Sequence, residues 1–406
     1  MKSQRKEKDE STTNREHVSI ISLVDALVTE AHQMRASDVH IDPHEGSVMV
    51  RMRIDGVLQE IGSIPKDIQS EVITRIKVLA GMRTDEHQTP QDGRFRLVLA
   101  NKKGVDVRIS ITPTYYGENA VLRLLSDHSN ILSLNLLGLS EEDIHKLESA
   151  MKRPHGMILA TGPTGSGKTT TLYTLLKELN TTNVSIITIE DPIEYAIEGI
   201  NQIQVNARTG LTFANGLRSI VRQDPNVIMV GEVRDTETAH LAVNTALTGH
   251  LVLSTLHTND AATTLPRLLD LGIEPYLIAA TVTVVVGQRL ARKICDNCKT
   301  ERLVKKIERD HIETVITKNN LVVPSKLWFG RGCSECNDSG YHGRVGIYEV
   351  MPIDDTIRAA MLEKASAGSI KGLAHAQGIK SLMTDGLQKA FLGLTSIEEV
   401  LRVIHE

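Results

Sequence analysis

The sequence predicts an α/β protein whose main domain holds a parallel sheet with crossover helices, preceded by a smaller α+β domain. Three β-branched runs in the 406-residue chain alternate with helix-compatible stretches, as in a parallel sheet. These runs are residues 184–189, 226–230 and 250–256. A glycine-rich segment, set between an apolar run and a helix-compatible run, comes before them. In the first third, apolar and polar residues alternate with a period of two around the hairpin signal Asp55-Gly56.

Composition is that of an ordinary globular protein and argues against some function classes. Hydrophobic residues make up 41% of the chain and charged residues 24%, and the length suggests two or three domains. A net charge of -4 and only 3% aromatic residues argue against direct nucleic-acid contact. No run approaches the roughly 20 apolar residues of a membrane-spanning helix. Residues 1–17 lack the apolar core of a secretory signal, so we expect a disordered tail there.

The glycine-rich segment fits the phosphate-binding pattern G-x-x-x-x-G-K-[ST], the P-loop. It consists of Gly162, Pro163, Thr164, Gly165, Ser166, Gly167, Lys168, Thr169 and Thr170. Glycines let successive backbone N–H groups turn toward phosphate oxygens, and the following helix adds its positive end. The pattern predicts a nucleotide site in which Lys168 reaches the terminal phosphates and the Thr169 hydroxyl binds Mg²⁺. A flexible glycine turn is the alternative, but it requires neither the lysine nor the threonine.

Polar side chains follow the three β-branched runs at the strand ends where parallel sheets bind ligands. Glu190 follows the first run, Glu232 follows the second, and His250 and His257 flank the third. Phosphoryl transfer to water needs a metal ligand and a group that activates the water, so both glutamates are candidate catalytic residues. Spacing does not decide which of them is the base and which serves Mg²⁺. It also does not decide which histidine senses the γ-phosphate.

Two arginines interrupt apolar strand patterns in the first third of the chain. They are Arg108, in VDVRIS, and Arg123, in AVLRLL. The pattern alone favours a solvated strand face. The alternative is a pair of charged groups aimed at a phosphate, since the guanidinium fork matches phosphate oxygens.

All four cysteines lie in two C-x-x-C pairs, Cys295 with Cys298 and Cys333 with Cys336. Four thiolates can close a tetrahedral structural Zn²⁺ site, which leaves no open position for catalysis. Two unrelated redox or buried pairs are the alternative. Cysteines used in this way are typical of a reducing compartment, so we expect a cytoplasmic protein.

Several segments, taken with the P-loop, resemble the ATPases of type II secretion and type IV pilus assembly. Residues 186–195 (IITIEDPIEY), 217–239 (LRSIVRQDPNVIMVGEVRDTETA) and 249–261 (GHLVLSTLHTNDA) are similar to their aspartate box, Walker B segment and histidine box. Within 36–58, ASDVHIDP and RIDGVL look like their second N-terminal domain, as does PQDGRF at 90–95. Residues 336–351 are similar to the family segment after the second cysteine pair. The resemblance covers residues 18–406.

The residue pattern and the resemblance together predict a domain plan, and the resemblance implies residue roles. The plan is a PAS-like α+β domain at 18–125, a linker at 126–137, a RecA-like ATPase core at 138–290, a zinc subdomain at 291–349 and C-terminal helices at 350–406. Glu190 corresponds to the proposed general base of the family, and Glu232 to the residue that organises Mg²⁺ and water. Arg108 and Arg123 match arginines that contact the γ-phosphate of ATP, which reverses the interpretation that their pattern favours.

The same resemblance implies a homohexamer, with nucleotide between the two domains of a subunit, that acts on an inner-membrane platform protein. The leading hypothesis is an ATPase that assembles a type IV pilus or a type II secretion pseudopilus at the inner face of the cytoplasmic membrane. Its contact with the membrane would run through partners, and zinc knuckles are typical of assembly rather than retraction ATPases. Only about 17 polar residues precede the family-like core, where full-length members often carry a docking domain. The alternatives are a low-turnover, nucleotide-binding regulatory subunit and a motor for DNA uptake.

Overall fold

The computed structural model describes residues 19–99, 104–125, 133–304, 306, 309–310, 312–313 and 321–405, and the chain divides into two compact units at residue 126. The predicted tail at 1–17 lies outside the described residues, as does the part of the predicted linker at 126–132. No helix among the described residues is both long and apolar enough to cross a lipid bilayer.

The first unit is an antiparallel sheet with two helices. Its elements are α1 (Ile20–Gln33), β1 (Ala36–Pro43), β2 (Ser47–Ile54), β3 (Val57–Pro65), α2 (Gln69–Leu79), β4 (Gln91–Val98), β5 (Gly104–Thr114) and β6 (Gly117–Leu125). The strand order is β3-β2-β1-β6-β5-β4, with antiparallel pairing throughout. Asp55 and Gly56 form the predicted hairpin turn, with φ of 48° and 87°. Alternate strand residues such as Val50 and Met52 form one core with α1 and α2, so the period of two did predict the buried face.

The second unit is built on a seven-stranded, mainly parallel sheet. Its first elements are α3 (Glu141–Met151), β7 (Gly156–Thr161), α4 (Lys168–Leu179), β8 (Ile186–Glu190), β9 (Asn201–Gln204), α5 (Phe213–Ile220), β10 (Val227–Val230), α6 (Thr236–Leu247), β11 (Leu251–Leu256), α7 (Ala261–Asp270) and α8 (Pro275–Thr281). They are followed by β12 (Val282–Ile294), β13 (Lys299–Leu303), β14 (Lys326–Gly330), β15 (Tyr341–Pro352), α9 (Asp355–Leu362), α10 (Ala367–Ala376), α11 (Leu382–Phe391) and α12 (Ile397–His405).

The order of the large sheet, β15-β12-β7-β11-β10-β8-β9, brings the three predicted strand ends to one edge. All neighbours are parallel except β12 and β15. Strands β7, β8, β10 and β11 are buried along their whole length, and separate apolar clusters cover the two faces of the sheet. Helices on both faces explain why these strands read as continuous apolar runs. The predicted α/β fold is therefore confirmed, with its parallel sheet and C-terminal helices.

Strand β15 shows how the cysteine-containing insertion is anchored. It pairs along most of its length with β12 and forms the edge of the central sheet, although its sequence lies in the segment that the resemblance assigns to the zinc subdomain. The insertion leaves the core at the end of β12 and returns through β15, and between them β13 and β14 form a separate two-stranded sheet.

Candidate active site

The P-loop connects the end of β7 to the start of α4, and its glycines adopt backbone conformations that other residues resist. The φ angle is 147° at Gly162, 78° at Gly165 and 87° at Gly167. A Cβ at Gly167 would lie 2.7 Å from Nε2 of Gln288, and one at Gly162 would lie 2.5 Å from the Gln288 carbonyl oxygen. At Gly162 and Gly167, the backbone conformation and the lack of space for a Cβ both require glycine. The loop curls at the amino end of α4, where a phosphate is favoured.

Lys168 is the first residue of α4 and is buried. Its Nζ donates hydrogen bonds to the carbonyl oxygens of Gly162, at 2.8 Å, and Pro163, at 2.9 Å. Burial lowers the pKa of Lys168 to about 8, with the charge of Glu232 opposing the shift and that of Arg289 adding to it. An anion beside the ammonium would stabilise its charged form, as expected at a phosphate site.

The hydroxyl groups of Ser166 and Thr169 in the P-loop segment differ in their surroundings. The Oγ of Ser166 is buried, and it has no hydrogen-bond partner within the part of the chain that the structure describes. Thr169 is exposed at the start of α4. Buried polar atoms are normally paired, so the Ser166 hydroxyl fits a loop that receives a phosphate group. The exposed Thr169 hydroxyl is accessible to a metal ion bound to that phosphate.

Glu232 lies two residues beyond β10 and carries the negative charge that acts on Lys168. The backbone N–H of Val233 donates to the carbonyl of Thr255 at 3.0 Å, which fixes the turn after the strand. The carboxylate oxygens of Glu232 lie 2.5 Å from Nη2 of Arg234 and 3.4 Å from Nε2 of His257. The structure thus brings together the predicted residues Lys168, Glu232 and His257 at the carboxyl edge of the sheet.

The two histidines lie at opposite ends of β11. His257 directly follows the strand, and its pKa is lowered by burial and by the charge of Lys168, against the effect of Glu232. His250 directly precedes the strand, and its ring Nδ1 lies 3.1 Å from the carbonyl oxygen of Thr245. Because β11 runs parallel to β7, with Leu251 opposite Gly156, His250 lies about 20 Å from the P-loop edge. The structure separates His250 from the site, so its predicted catalytic role is not retained.

Glu190 is the last residue of β8 and is 2% exposed. One carboxylate oxygen, Oε2, accepts a hydrogen bond from the hydroxyl of Tyr173 on α4. The other, Oε1, accepts from Oγ1 of Thr188 at 2.5 Å and from Nε2 of Gln202 at 3.1 Å. Burial, together with the negative charge of Glu190, raises the pKa of Tyr173, so the phenol stays a donor.

In the first unit, Arg108 and Arg123 lie directly opposite each other on β5 and β6. Arg94 on β4 lies opposite Arg108, and Asp38 on β1 lies opposite Arg123, so the four form one row across a sheet face. Nε of Arg123 lies 2.8 Å from Oδ1 of Asp38, and Nε of Arg53 lies 3.6 Å from Oδ2. Opposed like charges are unfavourable unless a carboxylate lies beside them, and here Asp38 pairs with Arg123 and Arg53.

The four cysteines form one cluster in which all Sγ atoms lie within 4.8 Å of one another. Sγ–Sγ distances are 3.8 Å for Cys295 and Cys333, 3.8 Å for Cys298 and Cys336, and 3.7 Å for Cys333 and Cys336. Tetrahedral Zn²⁺ with Zn–S bonds of about 2.3 Å places its sulfurs about 3.8 Å apart, so the cluster fits the ion. The alternative of two unrelated pairs is excluded.

Sequence reasoning missed several residues that contact the predicted ones. They are Asp38, Arg94, Tyr173, Gln202 and Arg234. Arg234 lies inside the Walker B-like segment, and Arg94 lies in the PQDGRF motif. Both therefore belong to recognised motifs, but their spacing did not indicate which residues they would lie beside. Tyr173 and Gln202 carried no local signal, because only the packing of α4 and β9 beside β8 brings them to Glu190.

One protein family and several known relatives match nearly the whole chain. The family described as "Type II/IV secretion system protein" matches residues 13–402. "Type II secretion system protein E" of Dickeya dadantii is 45% identical over 400 residues, which cover 98% of this chain and 78% of the relative. "Type IV pilus assembly ATPase PilB" of Myxococcus xanthus is 43% identical over 394 residues, 97% of this chain and 69% of the relative.

Two solved structures share the architecture. The ATPase DotB of Legionella pneumophila superposes with a TM-score of 0.68 over 98% of both chains, at 22% identity, which speaks to the fold alone. The pilus retraction motor PilT, crystallised with ADP, gives a TM-score of 0.61 at 26% identity, with 93% of this chain and 96% of PilT covered. Because the family match spans nearly the whole chain and the relatives are this similar, the chain belongs to the type II/IV secretion system protein family and is an ATPase.

Proposed function

We propose that this ATPase works as a homohexamer that drives assembly of a type IV pilus or a type II secretion pseudopilus. The observation that supports turnover is the cluster of Lys168, Glu232 and His257 at the carboxyl edge of the sheet. The similarity to a type II secretion protein and to a pilus assembly ATPase supports the biological role. In this proposal the protein acts in the cytoplasm, at the inner face of the membrane, through an inner-membrane platform protein.

Residues 162–170 hold the phosphates of ATP, and the Nζ of Lys168 exchanges its two carbonyl partners for phosphate oxygens. Thr169 and Glu232 hold Mg²⁺, which supplies neutralising charge on the phosphates. The ring of His257, beside Glu232, is placed to sense the γ-phosphate. Lys168 would exchange its carbonyl partners, and Glu232 its arginine partner, when nucleotide and Mg²⁺ bind, so nucleotide state would alter the contacts of the loops that follow β7 and β10.

Glu190 is proposed as the general base that activates the attacking water. The Glu190 carboxylate is oriented by neutral donors, whereas that of Glu232 is paired with the guanidinium of Arg234. Arg108 and Arg123 are proposed to neutralise charge on the γ-phosphate. Their positions opposite each other on β5 and β6 support this role, because two neighbouring guanidinium groups match the oxygens of one phosphate.

The cysteine cluster is proposed to hold one structural Zn²⁺. Support comes from the Sγ–Sγ distances and from two backbone donors, the N–H groups of Cys333 and Gly340, which each lie 3.3 Å from Sγ of Cys336. Such donors favour a thiolate over a thiol. A zinc knuckle of this kind is consistent with an assembly rather than a retraction ATPase.

The test is steady-state ATP hydrolysis by the purified protein, with its oligomeric state measured in the same buffer. We expect turnover by a hexamer, and we expect the Lys168→Ala and Glu232→Gln variants to fold but lose at least 100-fold in kcat. His250→Ala is the matched control and should retain wild-type kcat, since His250 lies at the other edge of the sheet. Negligible wild-type turnover would favour the regulatory-subunit alternative, and salt-dependent DNA binding would favour the DNA motor.

A further inference from the structure

The carboxylate of Glu190 lies in a buried polar cluster whose donors use all but one of its hydrogen-bond acceptor positions. A carboxylate offers about four lone-pair positions, two on each oxygen. Oε1 accepts from Thr188 and Gln202, so both of its positions are used. Among the described residues, Oε2 accepts from Tyr173 alone. The remaining lone pair of Glu190 is therefore on Oε2, the oxygen that the tyrosine hydroxyl contacts.

Tyr173 is itself held in place from several sides. Its side chain is fully buried, and its ring packs edge-on against Tyr195 at a centroid distance of 4.7 Å. Its oxygen accepts from the backbone N–H of Glu194 at 3.3 Å and lies 3.4 Å from Nε2 of Gln202. The hydroxyl proton is thus directed to Glu190, and the rotation of the carboxylate is restricted.

The position of Tyr173 in the chain connects this cluster to the nucleotide loop. It lies one helical turn after Thr169 on α4, the helix that begins with Lys168. Two strands, β11 and β10, lie between β8, which carries Glu190, and β7, which leads into the P-loop. Helix α4 begins at the P-loop with Lys168 and reaches Oε2 of Glu190 through Tyr173, so it connects the loop to this carboxylate.

We propose that Tyr173 is a positioning residue for ATP hydrolysis, which holds Oε2 of Glu190 so that its remaining lone pair faces the attacking water. The proposal rests on the function proposed above, in which Glu190 is the general base. Tyr173 acts through Glu190 and does not itself touch the nucleotide. A tyrosine that only fills the core between α4 and β8 is the competing explanation, and it makes different predictions.

The experiment compares Tyr173→Phe with two variants that remove a different tyrosine hydroxyl. Tyr195→Phe keeps the ring that packs on Tyr173, and Tyr348→Phe removes a buried hydroxyl that donates to the carbonyl of Leu137. For each purified variant the measurements are kcat and KM for ATP, ADP affinity, the pH profile of kcat and the thermal unfolding midpoint. Glu190→Gln is measured alongside them.

We expect Tyr173→Phe to lower kcat by roughly 10- to 100-fold, because a small misplacement of a catalytic group is enough for this loss. KM and ADP affinity should stay within about twofold, since substrate binding does not use the hydroxyl. The acidic limb of the pH profile should move to higher pH, because a carboxylate that loses a donor is protonated more easily. Both control variants should keep wild-type kcat and an unshifted profile.

Two outcomes separate the inference from the function on which it rests. If Glu190→Gln hydrolyses ATP at the wild-type rate, Glu190 is not the base, and the proposed role of the residue fails. If Glu190→Gln is inactive but Tyr173→Phe keeps wild-type kcat, Glu190 keeps its role and the positioning proposal is overturned. A loss of kcat shared equally by the two control variants, with a lowered unfolding midpoint and an unmoved pH profile, would assign Tyr173 to packing alone.

Discussion

The depressed pKa of Lys168 makes nucleotide binding depend on pH in a way that can be calculated. Burial beside Arg289 brings the pKa of Lys168 to about 8 from its usual 10.5, so keeping the ammonium charged without a bound phosphate costs about 3 kcal/mol. A bound phosphate supplies the missing counter-charge and raises the pKa again. Binding of ADP should therefore take up a proton whenever the free protein has lost it.

The size of the effect follows from the fraction of free protein in which Lys168 is charged. With a pKa of about 8, this fraction falls from about three quarters at pH 7.5 to about one tenth at pH 9. If the bound lysine stays protonated across that range, the apparent Kd for ADP should rise roughly tenfold. Isothermal titration calorimetry in buffers of different ionisation enthalpy should also record uptake of about half a proton at pH 8.

Lys168→Arg is the matched control, because the guanidinium stays charged throughout this range. It should bind ADP more weakly, since its shape differs from that of lysine, but with a Kd that changes little between pH 7.5 and 9. A wild-type Kd that is flat over the same range, with no proton uptake at pH 8, would refute the account of Lys168 as a desolvated, uncompensated cation.

Three further predictions concern other parts of the chain. His257→Ala should lower kcat by about tenfold or more, because it removes the ring beside Glu232, whereas His250→Ala should not; equal losses would contradict the separation of the two histidines by β11. Metal analysis should give one Zn²⁺ per chain, and Cys333→Ser should lower both the zinc content and the unfolding midpoint; a metal-free protein of full stability would rule out the closed site. Arg123→Gln should slow ATP hydrolysis more than it weakens ADP affinity, since a γ-phosphate contact is absent with ADP, and equal effects would count against that contact.

The sequence predicts the elements of this site well where one strand or one loop carries the information. The P-loop pattern, Glu190 at the end of β8 and Glu232 just beyond β10 lie at the expected strand ends, because a parallel sheet collects those ends at one edge. The two cysteine pairs converge as their spacing suggests. In each case a short segment of sequence carries the signal, and the fold only brings the segments together.

Prediction failed where the direction of a strand or the packing of distant elements decides the outcome. His250 and His257 are equally prominent in the sequence, yet β11 carries one to the site and leaves the other at the far edge. Pairing register alone places Arg94 beside Arg108, because β4 and β5 meet with those two residues opposite each other. Tyr173 reaches Glu190 through the packing of α4 beside β8, which no spacing along the chain encodes.

The contrasting surroundings of the two glutamates support different roles in hydrolysis. Glu232 is paired with the side chain of Arg234, which is 67% exposed, so a metal ion can displace that partner without leaving a buried charge behind. Glu190 has no such exchangeable cation in its described surroundings, since three neutral donors fix it within the core. A metal ligand must exchange partners during each cycle, whereas a base must keep one orientation while the water reacts. The exchangeable carboxylate is therefore the better metal ligand and the fixed one the better base, an assignment that strand spacing left open and that the hydrogen-bond partners now favour.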